Sequence, residues 1–186
     1  FSAITFLFFF LPIVLVVDRL LPWRLKNAFL FAASIVFYTW GAGSLVLILL
    51  GSMAVNFAAG TAVQRAVDRD EPTRARWVLA LAVTMNLALL GWFKYANFAA
   101  QQAGGIMEVL GLEVGPWTSI LLPIGISFYT FHAISYLVDI YRGTARHLAD
   151  PVTFGLYITF FPQLVAGPIV RFHEIRDQLV QRTETS

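Results

Sequence analysis

The strongest constraint on this chain is a set of runs too long and too free of charge to suit a fold in water. Residues 1–17 carry no charge until Asp18 and Arg19, and residues 27–64 none until Arg65. Residues 77–93 run to Lys94, 114–138 to Asp139, and 151–170 to Arg171. The hydrocarbon core of a bilayer is about 30 Å thick, so a spanning helix needs about 20 mostly apolar residues. Every backbone group at that depth must bond within the chain, which selects helices. The short alternating segments of a transmembrane barrel are absent from the sequence. Residues 27–64 are long enough for two helices, and WGAGS at 40–44 supplies a turn between them. That predicts six apolar segments. Residues 95–107 are uncharged too, but short and flecked with polar groups, which suits an interfacial or re-entrant stretch.

Composition agrees. Only 13% of the residues are charged, where soluble domains carry roughly 25%. The mean hydropathy is +0.71. Trp23, Trp40, Trp77, Trp92 and Trp117 fall near segment edges, where an amphipathic ring suits the headgroup zone. The fold class predicted is all-α: a polytopic transmembrane bundle with broken or re-entrant helices, residues 1–186 forming one integral domain. The chain opens at Phe1 inside an apolar run, with no leading Met, and closes on RTETS. It is read as part of a longer domain, its first run retained as a span because LLPWR is no small-residue cleavage site.

Basic residues predict orientation. The first loop holds Arg19, Arg24 and Lys26, and residues 65–76 hold Arg65, Arg69, Arg74 and Arg76. These loops, and the one with Arg142 and Arg146, are placed in the cytoplasm, with the N-terminus outside. A sixth full crossing would carry Arg171, Arg176 and Arg182 outside. A final segment broken at Pro162, Gly167 and Pro168 and returning inward removes that conflict.

Several chemistries are excluded. There is no cysteine, hence no disulfide, thiolate catalysis or thiolate metal site. No basic run points to nucleic acid. His132, His147 and His173 lack metal-ligand spacing, and His147 and His173 fall in charged segments read as surface. GISFY at 125–129 begins like a nucleophile elbow but ends in Tyr129 where glycine is needed.

The most informative segment is 121–142, LLPIGISFYTFHAISYLVDIYR. Tyr129, His132, Tyr136 and Asp139 recur at helical spacing and form one polar stripe. Intramembrane ionisable residues usually face a bundle interior or a wet cavity. The stripe lines a substrate path, or it is a hydrogen-bonding seam between helices with an Asp139–Arg142 pair at its edge. Pro123 and Gly125 ahead of it mark a broken helix or an ordinary helix start. Pro162, Gln163, Gly167 and Pro168 give the last run a shape that a plain helix does not tolerate, which suits a cavity wall. Lys94 reads as a snorkelling cation or as an anchor for an anionic donor.

Three strings carry a resemblance. They are FKYANF at 93–98, LLPIGISFYTFHAISYLVDIYRG at 121–143, and FPQLVAGPIVRF at 161–172. In order and spacing they resemble the membrane-bound O-acyltransferase (MBOAT) family, of the alginate O-acetyltransferase type, over nearly the whole chain. The resemblance implies a partial MBOAT fold with a funnel and tunnel. It implies a bacterial inner-membrane protein that transfers acetyl groups toward polysaccharide hydroxyls, with a periplasmic acetyltransferase-type partner. Acetyl-CoA or another acyl donor would be the co-substrate, with no resident cofactor or metal. Tyr129, His132, Tyr136, Asp139, Pro162, Gln163, Gly167 and Pro168 would line the tunnel, and Lys94, Arg142 and Arg171 would be interface or donor-side cations. The family's catalytic histidine sits in a later helix, so no catalytic residue is assigned within these 186 residues, His132 included, and the fragment alone is expected to be inactive. A membrane scaffold for such a partner, or a transporter, are the competing readings.

Overall fold

A computed structural model describes residues 6–109 and 119–160, and all of its regular structure there is helical. A π-helical turn, Phe6–Phe10, leads into α1, Leu11–Leu20. Pro12 sits in the first turn of α1, where it has no N–H to lend to the turn before it, and the wider π turn accommodates that loss. After Leu21 and Pro22 come α2, Trp23–Ala42, a 3₁₀ turn at Gly43–Leu45, and α3, Val46–Asp68. The expected turn is there, and Gly43 makes it at φ +57, a region where a side chain is strained.

The α3–α4 corner is tighter. Asp70 takes a left-handed conformation (φ +55). Its N–H bonds Val67 O at 3.0 Å and that of Glu71 bonds Ala66 O at 2.9 Å, which closes α3 with a Schellman motif. Pro72 then opens α4, Pro72–Val109, at the position where a missing N–H costs nothing. Its 38 residues make a rod about 57 Å long. This corrects the expectation that the segment ends at Lys94. The charge limits the apolar stretch, but lysine is a good helix former, and the helix runs through it. Lys94 is exposed, about 33 Å from Pro72 along the axis.

Non-helical residues 119–125 lead into α5, Ile126–Tyr141. Gly125, at φ +72, is its N-cap, so Pro123 and Gly125 mark a helix start after a loop. Asp150 caps α6, Pro151–Thr159, by accepting from the N–H groups of Val152 (3.1 Å) and Thr153 (2.9 Å). The helix stops at Thr159, ahead of Pro162 in sequence. Pro162, Gln163, Gly167, Pro168 and Arg171 lie outside the described residues.

α2 and α3 diverge from their turn, and α6 fills the opening. A Cβ on Gly155 would meet the Phe31 ring of α2 at 2.6 Å and the Met53 methyl of α3 at 2.9 Å. α5 packs against α3 and α4, and the main core joins Tyr38, Leu49, Met53, Tyr129, Tyr136, Leu137 and Phe154. This threading brings the α1–α2, α3–α4 and α5–α6 connections to one end of the bundle, as the Asn27–Thr153 and Gln64–His147 hydrogen bonds across helices show. Arg19, Lys26, Arg65, Arg69, Arg74, Arg76, Arg142 and Arg146 therefore share that end. At the other end Lys94 is the only cation among the residues whose side chains are described.

The helical run Leu25–Asp68 and the stretch Pro72–Gly104 are long and apolar enough to cross a membrane, yet only 28% and 11% of their most apolar windows are buried. The core helix of a soluble protein would be covered. Here Trp77, Leu81, Met85 and Trp92 stand exposed along α4. A face of that kind is at home in lipid, and the chain is a membrane protein.

Candidate functional site

The site is built on α5, whose buried face carries the polar stripe. Tyr129, His132, Tyr136 and Asp139 are all turned inward, the least covered being Asp139 at 7% exposure. The α-helical repeat brings them to one side, and α3, α4 and α6 close over it.

The stripe divides in two. Its lower half is committed to structure. The Tyr136 ring lies against Gly60 of α3, where an added Cβ would come within 2.6 Å of a ring carbon. Its hydroxyl meets Nδ1 of His147 at 2.5 Å. The Asp139 carbonyl accepts the N–H of Thr144 at 3.1 Å while the N–H of Gly143 (φ +71) bonds Ile140 O at 3.0 Å. That pair of bonds is again a Schellman stop, and the Thr144 hydroxyl reinforces it at 3.0 Å. The upper half is different. Among the described residues neither ring nitrogen of His132 finds a hydrogen-bond partner, nor do the hydroxyls of Tyr129, Thr130 and Tyr38. The His132 ring lies 5.4 Å from that of Tyr157, whose hydroxyl bonds the His132 carbonyl at 3.3 Å. Leaving a buried polar group unpaired costs roughly 1–3 kcal/mol, so this half holds unspent hydrogen-bonding capacity.

The structure corrects the surface reading of His147. The ring is half-buried between α3 and α5, 4.9 Å from the Phe57 ring. Its Nε2 lies 3.1 Å from the Thr61 hydroxyl, and its backbone N–H donates to Gln64 Oε1 at 3.0 Å. Burial, and then the positive charge of Arg65, hold its pKa below the usual histidine range. The signal was present in the sequence: Ala145 and Leu148 flank it, both buried, and they dock the connection onto the bundle. At Asp150, burial alone would raise the pKa, but the hydrogen bonds from Thr153 and Val152 outweigh it and lower the value.

Three asparagines also escaped notice. Asn56 and Asn86 exchange amide hydrogen bonds of 3.1 and 2.7 Å between α3 and α4, beside an outward groove of about 440 Å³ lined by Gly51, Ser52 and Met85. Asn97, within FKYANF, gives its amide to Ile120 O at 2.7 Å and accepts the Ile120 N–H at 2.8 Å. It thereby ties the approach to α5 onto α4. Of the expected cations, Lys94 places its ammonium 5.7 Å from the centre of the Tyr95 ring, and Arg142 is exposed at the basic end.

No family model matches the chain, and no solved structure does. Among curated proteins it is similar over its whole length to the "Probable alginate O-acetylase AlgI" of Pseudomonas putida, 42% identical over 185 residues, and to that of Pseudomonas aeruginosa, 40% identical. Those alignments cover 38% and 35% of the two relatives. It is also 28% identical, over 96% of its length, to the "Peptidoglycan O-acetyltransferase" of Helicobacter pylori, covering 38% of that protein. The chain thus spans little more than a third of the length of the relatives it matches.

Proposed function

We propose, from a chain that is AlgI-like along its whole length, that the complete protein transfers acetyl groups toward hydroxyls of a polysaccharide. The observation that carries this is the match at about 40% identity to alginate O-acetylases from end to end of the chain. The Helicobacter pylori relative is by name also an O-acetyltransferase, directed at a different polymer, peptidoglycan. Alginate or another exopolysaccharide is accordingly the acceptor class.

The protein is a multi-pass protein of the bacterial inner membrane, with its arginine-rich end in the cytoplasm. Acetyl-CoA, or another acyl donor, arrives from that side, where Arg142 and Arg146 are exposed. The stripe of α5 lines the passage, with Tyr129 and His132 supplying polar atoms to it and Tyr136 and Asp139 fixing its cytoplasmic base. Pro162, Gln163, Gly167 and Pro168 continue the wall, and Arg171 and Lys94 serve as cations at its edges. Acyl transfer to oxygen needs a base for the hydroxyl proton, and that base is supplied by the part of the protein beyond this chain. A periplasmic acetyltransferase-type partner completes the transfer.

The test is polymer O-acetylation in a deletion strain. The full-length gene should restore acetyl ester on the exopolysaccharide, and a gene segment encoding only these 186 residues should not. Normal acetylation in the deletion strain overturns the assignment. Acetylation restored by the short segment overturns the claim that the base lies outside it.

A further inference from the structure

The segment between α5 and α6 rests on α3 through the His147 ring and its backbone N–H, with Ala145 and Leu148 buried beside them, and the protons around that ring can be counted. The Thr61 hydroxyl has one proton, which it gives to the Phe57 carbonyl at 3.0 Å. Its contact with His147 must therefore be an acceptance from Nε2–H. Nδ1 is then the unprotonated nitrogen, and it takes the proton of the Tyr136 hydroxyl. The result is an unbroken run of donors, Tyr136 to His147 to Thr61 to Phe57, that only the neutral ring completes.

We propose that the α5–α6 connection is a pH-operated latch, closed on α3 while the His147 ring is neutral and released when the ring takes a second proton. A proton on Nδ1 points at a hydroxyl that is already donating to it, so that bond must be rebuilt. The same proton makes the ring a cation beside Arg65.

The groups around it do not offset this. From α3, Asp68 is exposed and reaches the latch only through Gln64, whose amide it accepts at 2.9 Å while Gln64 Oε1 takes the His147 N–H. From α5, Tyr136 is the contact and Asp139 lies nearly a turn further on. On α6, Phe154 and Tyr157 back the Tyr136 ring at 4.8 and 6.4 Å, and Asp150 is engaged by its own capping bonds. Within the connection, Arg142 and Arg146 are exposed and positive. Released, residues 143–149 would expose Ala145 and Leu148 at the arginine-rich end.

Amide hydrogen exchange of the intact protein in nanodiscs tests this between pH 7.5 and 4.5, a window that reaches well below the free imidazole value because the ring's own is depressed, with rates corrected for intrinsic pH dependence. Protection in 143–149 should fall at least about threefold on acidification, as in a local opening, while amides around Leu49 and Met53 hold theirs. His147→Gln should remove the pH dependence, its neutral amide keeping one setting at both values. Wild-type protection that does not change with pH overturns the latch. So does a pH dependence that survives in His147→Gln, which would place the titration outside this ring. Should that variant not fold, NMR of histidine-labelled wild type decides: a His147 titration that coincides with the opening supports the latch, and an opening at a different pH refutes it.

Discussion

Replacing Gly60 with alanine probes the closest contact in the bundle. The new methyl would lie 2.6 Å from one Tyr136 ring carbon, 2.9 Å from its oxygen and 3.1 Å from a second carbon. The ring cannot easily retreat. It is fully buried, its oxygen is held by His147, and Phe154 stands behind it. Forcing a methyl into packing of this kind costs about 1–3 kcal/mol. Against that, alanine gains about 1 kcal/mol over glycine inside a helix. The net expectation is a loss of about 1 kcal/mol, roughly fivefold in the folding equilibrium. The assay is unfolding of the full-length protein in mixed micelles as denaturing detergent is raised. Gly51→Ala is the matched control on the same helix, since nothing lies within 4 Å of its added Cβ; it should gain stability. In a Tyr136→Leu background the clashing atoms are gone, and Gly60→Ala should turn neutral or favourable. If Gly60→Ala gains as much as Gly51→Ala in the wild-type background, the packing argument is wrong.

Asn86→Leu leaves the buried Asn56 amide without its partner across α3 and α4; the loss should be about 1 kcal/mol in the same assay, and a double-mutant cycle with Asn56→Leu should recover part of it. Asn97→Ala removes both bonds to Ile120, so the Ile120 amide should exchange faster with overall stability little changed. Asp150→Ala removes the α6 cap and should cost about 1 kcal/mol. Because its folded-state pKa is depressed, the wild-type contribution is complete above the free carboxyl value of 3.8 and is lost as pH falls through the lower folded value. An Asp150→Ala deficit of the same size at pH 3 and pH 7 would refute that.

Much of this fold was legible because lipid imposes simple rules. Runs without charge gave the helices, and the spacing of Tyr129, His132, Tyr136 and Asp139 gave the inward face of α5. Where the chain was misread, two different physical properties had been equated. Lys94 ends an apolar stretch, but a charge does not end a helix, and α4 continues. His147 sits among charged neighbours, but burial follows from what a loop docks against, and that depends on Thr61 and Gln64, more than 80 positions earlier. Asn56 and Asn86 each look like a lone polar residue, and their pairing exists only once α3 and α4 turn back on each other at Asp70. The four-residue stripe gave the direction of its side chains without revealing that Tyr136 is spent on structure, against Gly60 and His147.

The length of α4 has an outcome for whatever works on the far face. A rod of about 57 Å cannot disappear into an oily slab of about 30 Å. Leaning at about 40°, the steep end of what membrane helices adopt, it still climbs about 44 Å. Its upper quarter is therefore a mast, stepped among the arginines and rising past Lys94 into the headgroups or above them. Just beneath that quarter Tyr95 and Phe98 stand uncovered, and Asn97 is the stay that ties its foot to Ile120, ahead of α5. A partner pulling on that mast would pull on the entrance to the stripe.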